Sequence, residues 1–89
     1  MAKIILDVRT PREYADGHLE GSRLLDFNSG QFETALAGLD PEVGYLVYCR
    51  SGNRSGQAMY LMQEAGFTDV VNLGSLQAAA DATGIPITR

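Results

Sequence analysis

The sequence predicts an α/β domain in which helices cover both faces of a small parallel sheet. Short apolar, β-forming runs alternate along the chain with segments of helical periodicity, the order that builds βαβ units. Tyr45-Leu46-Val47-Tyr48 is apolar without interruption, as a strand buried on both faces is. The chain has 89 residues, 45% hydrophobic and 20% charged, which is ordinary globular usage and points to one domain over residues 1–89.

Ile4-Ile5-Leu6 reads as a first strand that ends at Asp7-Val8-Arg9. Three helix-start signals follow it: Thr10 as N-cap, Pro11 at the first helical position and Glu13 closing a capping box. Gly17 keeps that helix short, and His18-Leu19-Glu20-Gly21 reads as a turn into a second strand, Ser22-Arg23-Leu24-Leu25. Asn28-Ser29-Gly30 breaks the chain. Phe32, Leu36 and Leu39 then have the spacing of a helix that Asp40-Pro41 ends. After the strand Tyr45–Tyr48, Arg50-Ser51-Gly52-Asn53 reads as a loop, and Arg54 or Ser55 opens a helix that Gly66 closes. Asp69-Val70-Val71-Asn72 is a further strand, and a weak helix from Leu76 to Ala82 follows Leu73-Gly74-Ser75.

Composition excludes several classes. No apolar run approaches the ~20 residues of a membrane span. One cysteine and one histidine can form neither an internal disulfide nor a four-ligand zinc site. A net charge of −4 argues against nucleic acid or anionic lipid as partner. The apolar run after Lys3 is too short for a signal core, so a cytoplasmic monomer is expected, with a trimmed exported form as the alternative. The charge is also uneven. Between Val43 and Gln63 there is no Asp or Glu, and Arg50 and Arg54 both flank the sole cysteine, Cys49. A small cationic island around a thiol suggests an anion site.

Ligands of parallel sheets bind beyond the carboxyl ends of the strands, where Cys49 falls. From there Arg50, Ser51, Gly52, Asn53, Arg54 and Ser55 run into a helix N-terminus. Gly52 and Asn53 tolerate left-handed backbone, so the loop can curl its N–H groups inward, and the helix adds free N–H groups and its positive dipole end. Helix N-termini and nearby arginines lower a thiol from about 8.5 to roughly 3.5–7.5, which makes Cys49 a candidate thiolate nucleophile. The plainer alternative is a buried cysteine acting as a small hydrophobe.

Four segments carry a family resemblance: Asp7-Val8-Arg9 with Thr10-Pro11-Arg12-Glu13-Tyr14; Gly17-His18-Leu19-Glu20-Gly21-Ser22; Val47-Tyr48-Cys49 through Ser55; and Glu64-Ala65-Gly66-Phe67-Thr68-Asp69-Val70. In this order and spacing the chain, from Ile4 to Gly74, resembles the single-domain rhodaneses, or rhodanese-like sulfurtransferases, including their compact phage-shock-type members. The resemblance implies that Cys49 takes a sulfane sulfur from a small anionic donor such as thiosulfate, holds it as a persulfide and yields it to a thiophile. That acceptor is cyanide in the standard assay, with a thiol or protein acceptor also open. It implies a substrate-binding loop of Arg50, Ser51, Gly52, Asn53, Arg54 and Ser55, with the arginines on the donor and Ser55 hydrogen-bonding the loop. No metal or other cofactor is required. His18 and the methionines of the helix after the loop are expected to be structural. Asp7 and Arg9 are expected to shape the pocket or to pair with a loop arginine. Gly74-Ser75 stands where the family has Gly-Gly followed by Trp.

Two other functions compete. Cysteine phosphatases use a related cradle with five residues between Cys and Arg, whereas four, Arg50 to Asn53, separate Cys49 from Arg54. A non-catalytic binding or regulatory module on the same scaffold would commonly lack the cysteine, which this chain keeps.

Overall fold

The computed structural model describes residues 3–89; Met1 and Ala2, which precede the apolar run read for a signal core, lie outside them. Four strands form one parallel sheet: β1 (Ile4–Asp7), β3 (Arg23–Leu24), β4 (Tyr45–Tyr48) and β5 (Val70–Gly74), in the order β3-β1-β4-β5. The crossovers carry helices α1 (Pro11–Asp16), α2 (Gln31–Leu36) and α3 (Asn53–Glu64), and α4 (Leu76–Thr83) follows β5. β1 and β4 are the inner strands and pair in register from Ile4 with Tyr45 to Asp7 with Tyr48. The predicted α/β architecture is the one observed.

Alternation along the strands divides the core into two layers. Leu6, Tyr45 and Val47 face Phe32 of α2 and Ala58 and Met62 of α3. Ile5 and Tyr48 face Leu19 and Ala79 of α4 on the other side. The helix starts follow their sequence signals. Thr10 Oγ1 accepts the Glu13 N–H while the Glu13 carboxylate accepts the Thr10 N–H, a complete capping box with Pro11 in the first turn.

Some boundaries differ from expectation. His18-Leu19 is a strand, β2, not a turn, because it pairs antiparallel with β6 (Ile87–Thr88) at the far end of the chain. Two-residue strands show no periodicity, so only the pairing reveals them. α2 ends at Leu36; Leu39 reaches the core from a following turn closed by Leu39 N–H to Leu36 O. α3 starts at Asn53 rather than at Arg54 or Ser55, with Gly52 as the residue before the helix. Among the described residues no helix is long and apolar enough to cross a membrane.

One buried polar cluster fastens the sheet's carboxyl end. Asp7 is fully buried; its carboxylate receives the Arg9 backbone N–H, the Arg9 guanidinium at 2.7–3.1 Å and the Tyr48 hydroxyl at 2.9 Å. Arg9 also reaches the Gly17 carbonyl at 2.6 Å and lies over the Tyr48 ring. Tyr48 accepts the Leu19 N–H and contacts the Ser22 hydroxyl. Burial pushes the Tyr48 hydroxyl up to about 12, so it stays a neutral donor to Asp7. Asp7 and Arg9 therefore pair with each other and not with a loop arginine.

Candidate active site

Cys49 follows β4 directly, its backbone N–H held by the Gly74 carbonyl of β5 at 2.9 Å. The chain then turns through Arg50 and Ser51 to Gly52, which sits in left-handed backbone at φ 95° and ψ −7°. That conformation directs the Gly52 N–H back at the sulfur, with N to Sγ 3.0 Å. A side chain at Gly52 would be strained, and its Cβ would meet the Gly74 Cα at 3.3 Å. Asn53, expected to share the curl, is instead the first helical residue, its Oδ1 accepting from Gln57.

Ser55, on the first turn of α3, is fully buried and places its hydroxyl 3.4 Å from Sγ. Cys49 itself is fully buried. Burial alone pushes its thiol up, but the Ser55 hydroxyl and the N–H groups of Ser55, Ser51 and Gly52 outweigh it and hold the thiol below its ordinary value. The sequence suggested that the curled N–H groups, the helix N-terminus and the two arginines would do this together, and the hydrogen bonds of the loop lead.

The arginines have different fates. Arg50 is exposed and borders an open cleft of about 510 Å³ together with Arg9, Glu13, Asp16, Ser75 and Leu76. Arg54 is engaged: its two terminal nitrogens meet the two Glu13 oxygens at 2.7 and 3.0 Å. The sequence window around Cys49 holds no acid, but the fold brings one in from α1. Ser51 is exposed. Gly52 and Asn53 border a second cleft of about 580 Å³, beside Phe27, Glu33, Gln57 and Tyr60.

Sequence reasoning read Asn72 only as a strand residue. Its amide donates to the Gly52 carbonyl at 3.0 Å and accepts from the Ser55 hydroxyl at 2.7 Å and the Gly74 N–H at 3.0 Å. One side chain of β5 thus clamps both loop residues that hydrogen-bond the sulfur. The single hydroxyl proton of Ser55 is shared between Asn72 Oδ1 at 2.7 Å and Sγ at 3.4 Å. An Asn in a short strand is too common for its spacing to have signalled this. Gly74-Ser75 also serves the scaffold, since Ser75 caps α4 through the Ala78 N–H. His18 lies away from the sulfur, stacked on Tyr14 at 3.6 Å with its Nδ1 2.8 Å from the Tyr14 carbonyl oxygen.

A lowered thiol has a sign that can be measured. Iodoacetamide reactivity of Cys49 should titrate with a midpoint below ~8.5, the ordinary thiol value. The same shift contributes stability that is complete above the ordinary value and is lost as the pH falls through the lowered one. A midpoint at or above ~8.5 would mean that the N–H groups do not act on the sulfur.

Fold and site together define a class: a small α/β domain presenting a buried, hydrogen-bonded cysteine at the carboxyl end of a central parallel strand. Known proteins of this form are similar over most of the chain. The family model of the rhodanese-like domain matches residues 1–81. The thiosulfate sulfurtransferase PspE of Escherichia coli is 35% identical over 75 residues, which cover 84% of this chain and 72% of PspE. The thiosulfate sulfurtransferase GlpE of Pseudomonas paraeruginosa is 39% identical over 69 residues, covering 78% of this chain and 61% of GlpE. Among solved structures, a rhodanese-like domain of an Anabaena protein superposes with a TM-score of 0.82 at 32% identity, covering 99% of this chain and 100% of that one. A rhodanese with anions from E. coli gives 0.81 at 31% identity, covering 99% of each chain. The chain belongs to the rhodanese-like domain family.

Proposed function

We propose that this protein is a thiosulfate:thiophile sulfurtransferase working through a persulfide on Cys49. The Cys49 thiolate attacks the outer, sulfane sulfur of thiosulfate. An S–S bond forms to Sγ, the bond from that sulfur to the sulfonate sulfur breaks, and its electron pair leaves with sulfite. A thiophile such as cyanide then attacks the terminal sulfur, forming thiocyanate and restoring the thiolate. Charge is conserved in each half-reaction, and the scheme is a double displacement.

The observation that carries this reading is the Gly52 N–H, 3.0 Å from a buried sulfur at the end of β4. Donors fixed on the sulfur favour the anion that attacks and the persulfide anion that replaces it. Arg50 faces solvent beside the loop and is assigned to meet the anionic donor. Ser51, Gly52, Asn53, Arg54 and Ser55 complete the loop around the donor, Ser55 through its hydrogen bond to the sulfur and Arg54 as a guanidinium whose charge Glu13 compensates. The acceptor is a small thiophile or a thiol, free or on a protein, and the mechanism needs no cofactor.

A phosphatase reading fits less well. The ring of four residues is one short of that cradle, and Arg54, which would have to wrap a phosphate, is occupied by Glu13. Parallel steady-state assays separate the two. The protein should form thiocyanate from thiosulfate and cyanide and should leave p-nitrophenyl phosphate unhydrolysed. Phosphate ester hydrolysis without thiocyanate formation would reverse the assignment, and neither activity would favour the regulatory module.

A further inference from the structure

Glu13 has two duties that meet on one carboxylate and share its Oε1. Towards its own helix, Oε1 accepts the Thr10 N–H at 3.1 Å and the Thr10 hydroxyl at 3.2 Å, closing the capping box. Across the molecule, Oε1 and Oε2 take the two terminal nitrogens of Arg54 at 2.7 and 3.0 Å. The cap also holds the carboxylate in place from its own helix, so the pairing with Arg54 is preorganised. The pair is only partly buried, with side-chain exposures of 19% for Arg54 and 24% for Glu13. An anion arriving at the loop therefore meets a guanidinium whose charge and two of whose donors are already claimed.

We propose that Glu13 is a specificity-determining residue: it withholds Arg54 from the donor and so limits how strongly the site favours dianions over monoanions. The inference rests on the sulfurtransferase reading for its substrate class. Its physical content, competition between a carboxylate and an arriving anion for one guanidinium, does not depend on turnover. The first cause acting on the Glu13 carboxyl, the Arg54 hydrogen bonds, holds it down at about 2, so it stays charged wherever the thiolate exists. Charge on Cys49 in turn favours protonated Arg54, so the sulfur senses that guanidinium. A plain staple between α1 and α3 would have no bearing on anion charge.

Glutamine is the informative replacement. Glu and Gln both serve at the third position of a capping box, so Glu13→Gln keeps the cap while removing the charge and one of the two acceptors that hold Arg54. Thiosulfate binding is read by calorimetry on a Cys49→Ser background, where no sulfur can be transferred. Adding Glu13→Gln should tighten thiosulfate about tenfold at low salt, with the gain shrinking as ionic strength rises. A monoanionic thiosulfonate should gain less, so the dianion preference widens. Adding Arg54→Gln as well should abolish the gain. In the otherwise wild-type chain, Glu13→Gln should also move the iodoacetamide midpoint of Cys49 downward, because the Arg54 charge is no longer compensated. Unchanged thiosulfate affinity, equal gains for both anions, or a gain that survives loss of Arg54 would each overturn the proposal. Failure of sulfur transfer by the wild type would overturn the functional reading and leave these binding results to decide the role of Glu13 on their own.

Discussion

Cys49→Ser is expected to abolish sulfur transfer from thiosulfate to cyanide while leaving the fold in place. Serine is smaller, so it fits the buried position, and its hydroxyl can keep the Gly52 N–H as a donor. What it cannot do is ionise near neutral pH, nor carry a sulfane sulfur. The loop would then surround an inert group. Circular dichroism and urea unfolding should show a folded variant, with a cost of about 1 kcal/mol from the looser packing. Thiocyanate production should fall to the uncatalysed rate. Substantial turnover by the serine variant would rule out a covalent route through this residue.

Asp7→Ala is expected to cost about 3–5 kcal/mol of stability, the usual result of stripping one partner from a buried ion pair. Arg9 would remain in place, 5% exposed, with its guanidinium uncompensated except by the Gly17 carbonyl. Tyr48 would lose the acceptor of its buried hydroxyl. Single domains have only about 0.05–0.15 kcal/mol of stability per residue, so this variant should be largely unfolded at mild urea concentrations. The site would go with the fold, because Tyr48 immediately precedes Cys49 and sets the end of β4. Asp7→Asn, which keeps an acceptor oxygen but removes the charge, should fall between the two. A loss below about 1 kcal/mol for the alanine variant would show that water replaces the carboxylate and that the cluster is not closed.

The parts of this molecule that were legible in sequence are the ones whose partners are neighbours in sequence. The α1 cap is visible because Thr10, Pro11 and Glu13 lie within four positions. Tyr45–Tyr48 is visible because a central strand needs no partner to look apolar. Cys49 through Ser55 is visible because the sulfur and its donors belong to one turn of chain. The remainder joins distant segments. β2 and β6 exist only as a pair, and each alone is two residues without pattern. Asn72 holds Gly52 and Ser55 from another strand, and nothing in its own neighbourhood marks it.

The charge pattern is the instructive case. The acid-free window from Val43 to Gln63 is real, and it correctly points to the sulfur's surroundings. It misleads about Arg54, because charge in a fold is counted by distance in space. Glu13, read from sequence as a cap and nothing more, cancels one of the two arginines. A site that looked doubly cationic holds one exposed guanidinium, Arg50, and one neutralised pair. Thiolate stabilisation then falls to the N–H groups and the Ser55 hydroxyl, which have no charge to be cancelled.

The central claim is that Cys49 accepts a single sulfur atom. Intact-mass spectrometry of the protein after incubation with thiosulfate, before and after addition of cyanide, tests it directly. A species heavier by one sulfur is expected, mapped to Cys49 by peptide analysis, absent from Cys49→Ser and discharged by cyanide with thiocyanate formed in equal amount. An unmodified wild-type mass under conditions where thiocyanate accumulates, or a sulfur adduct that cyanide does not remove, would contradict it.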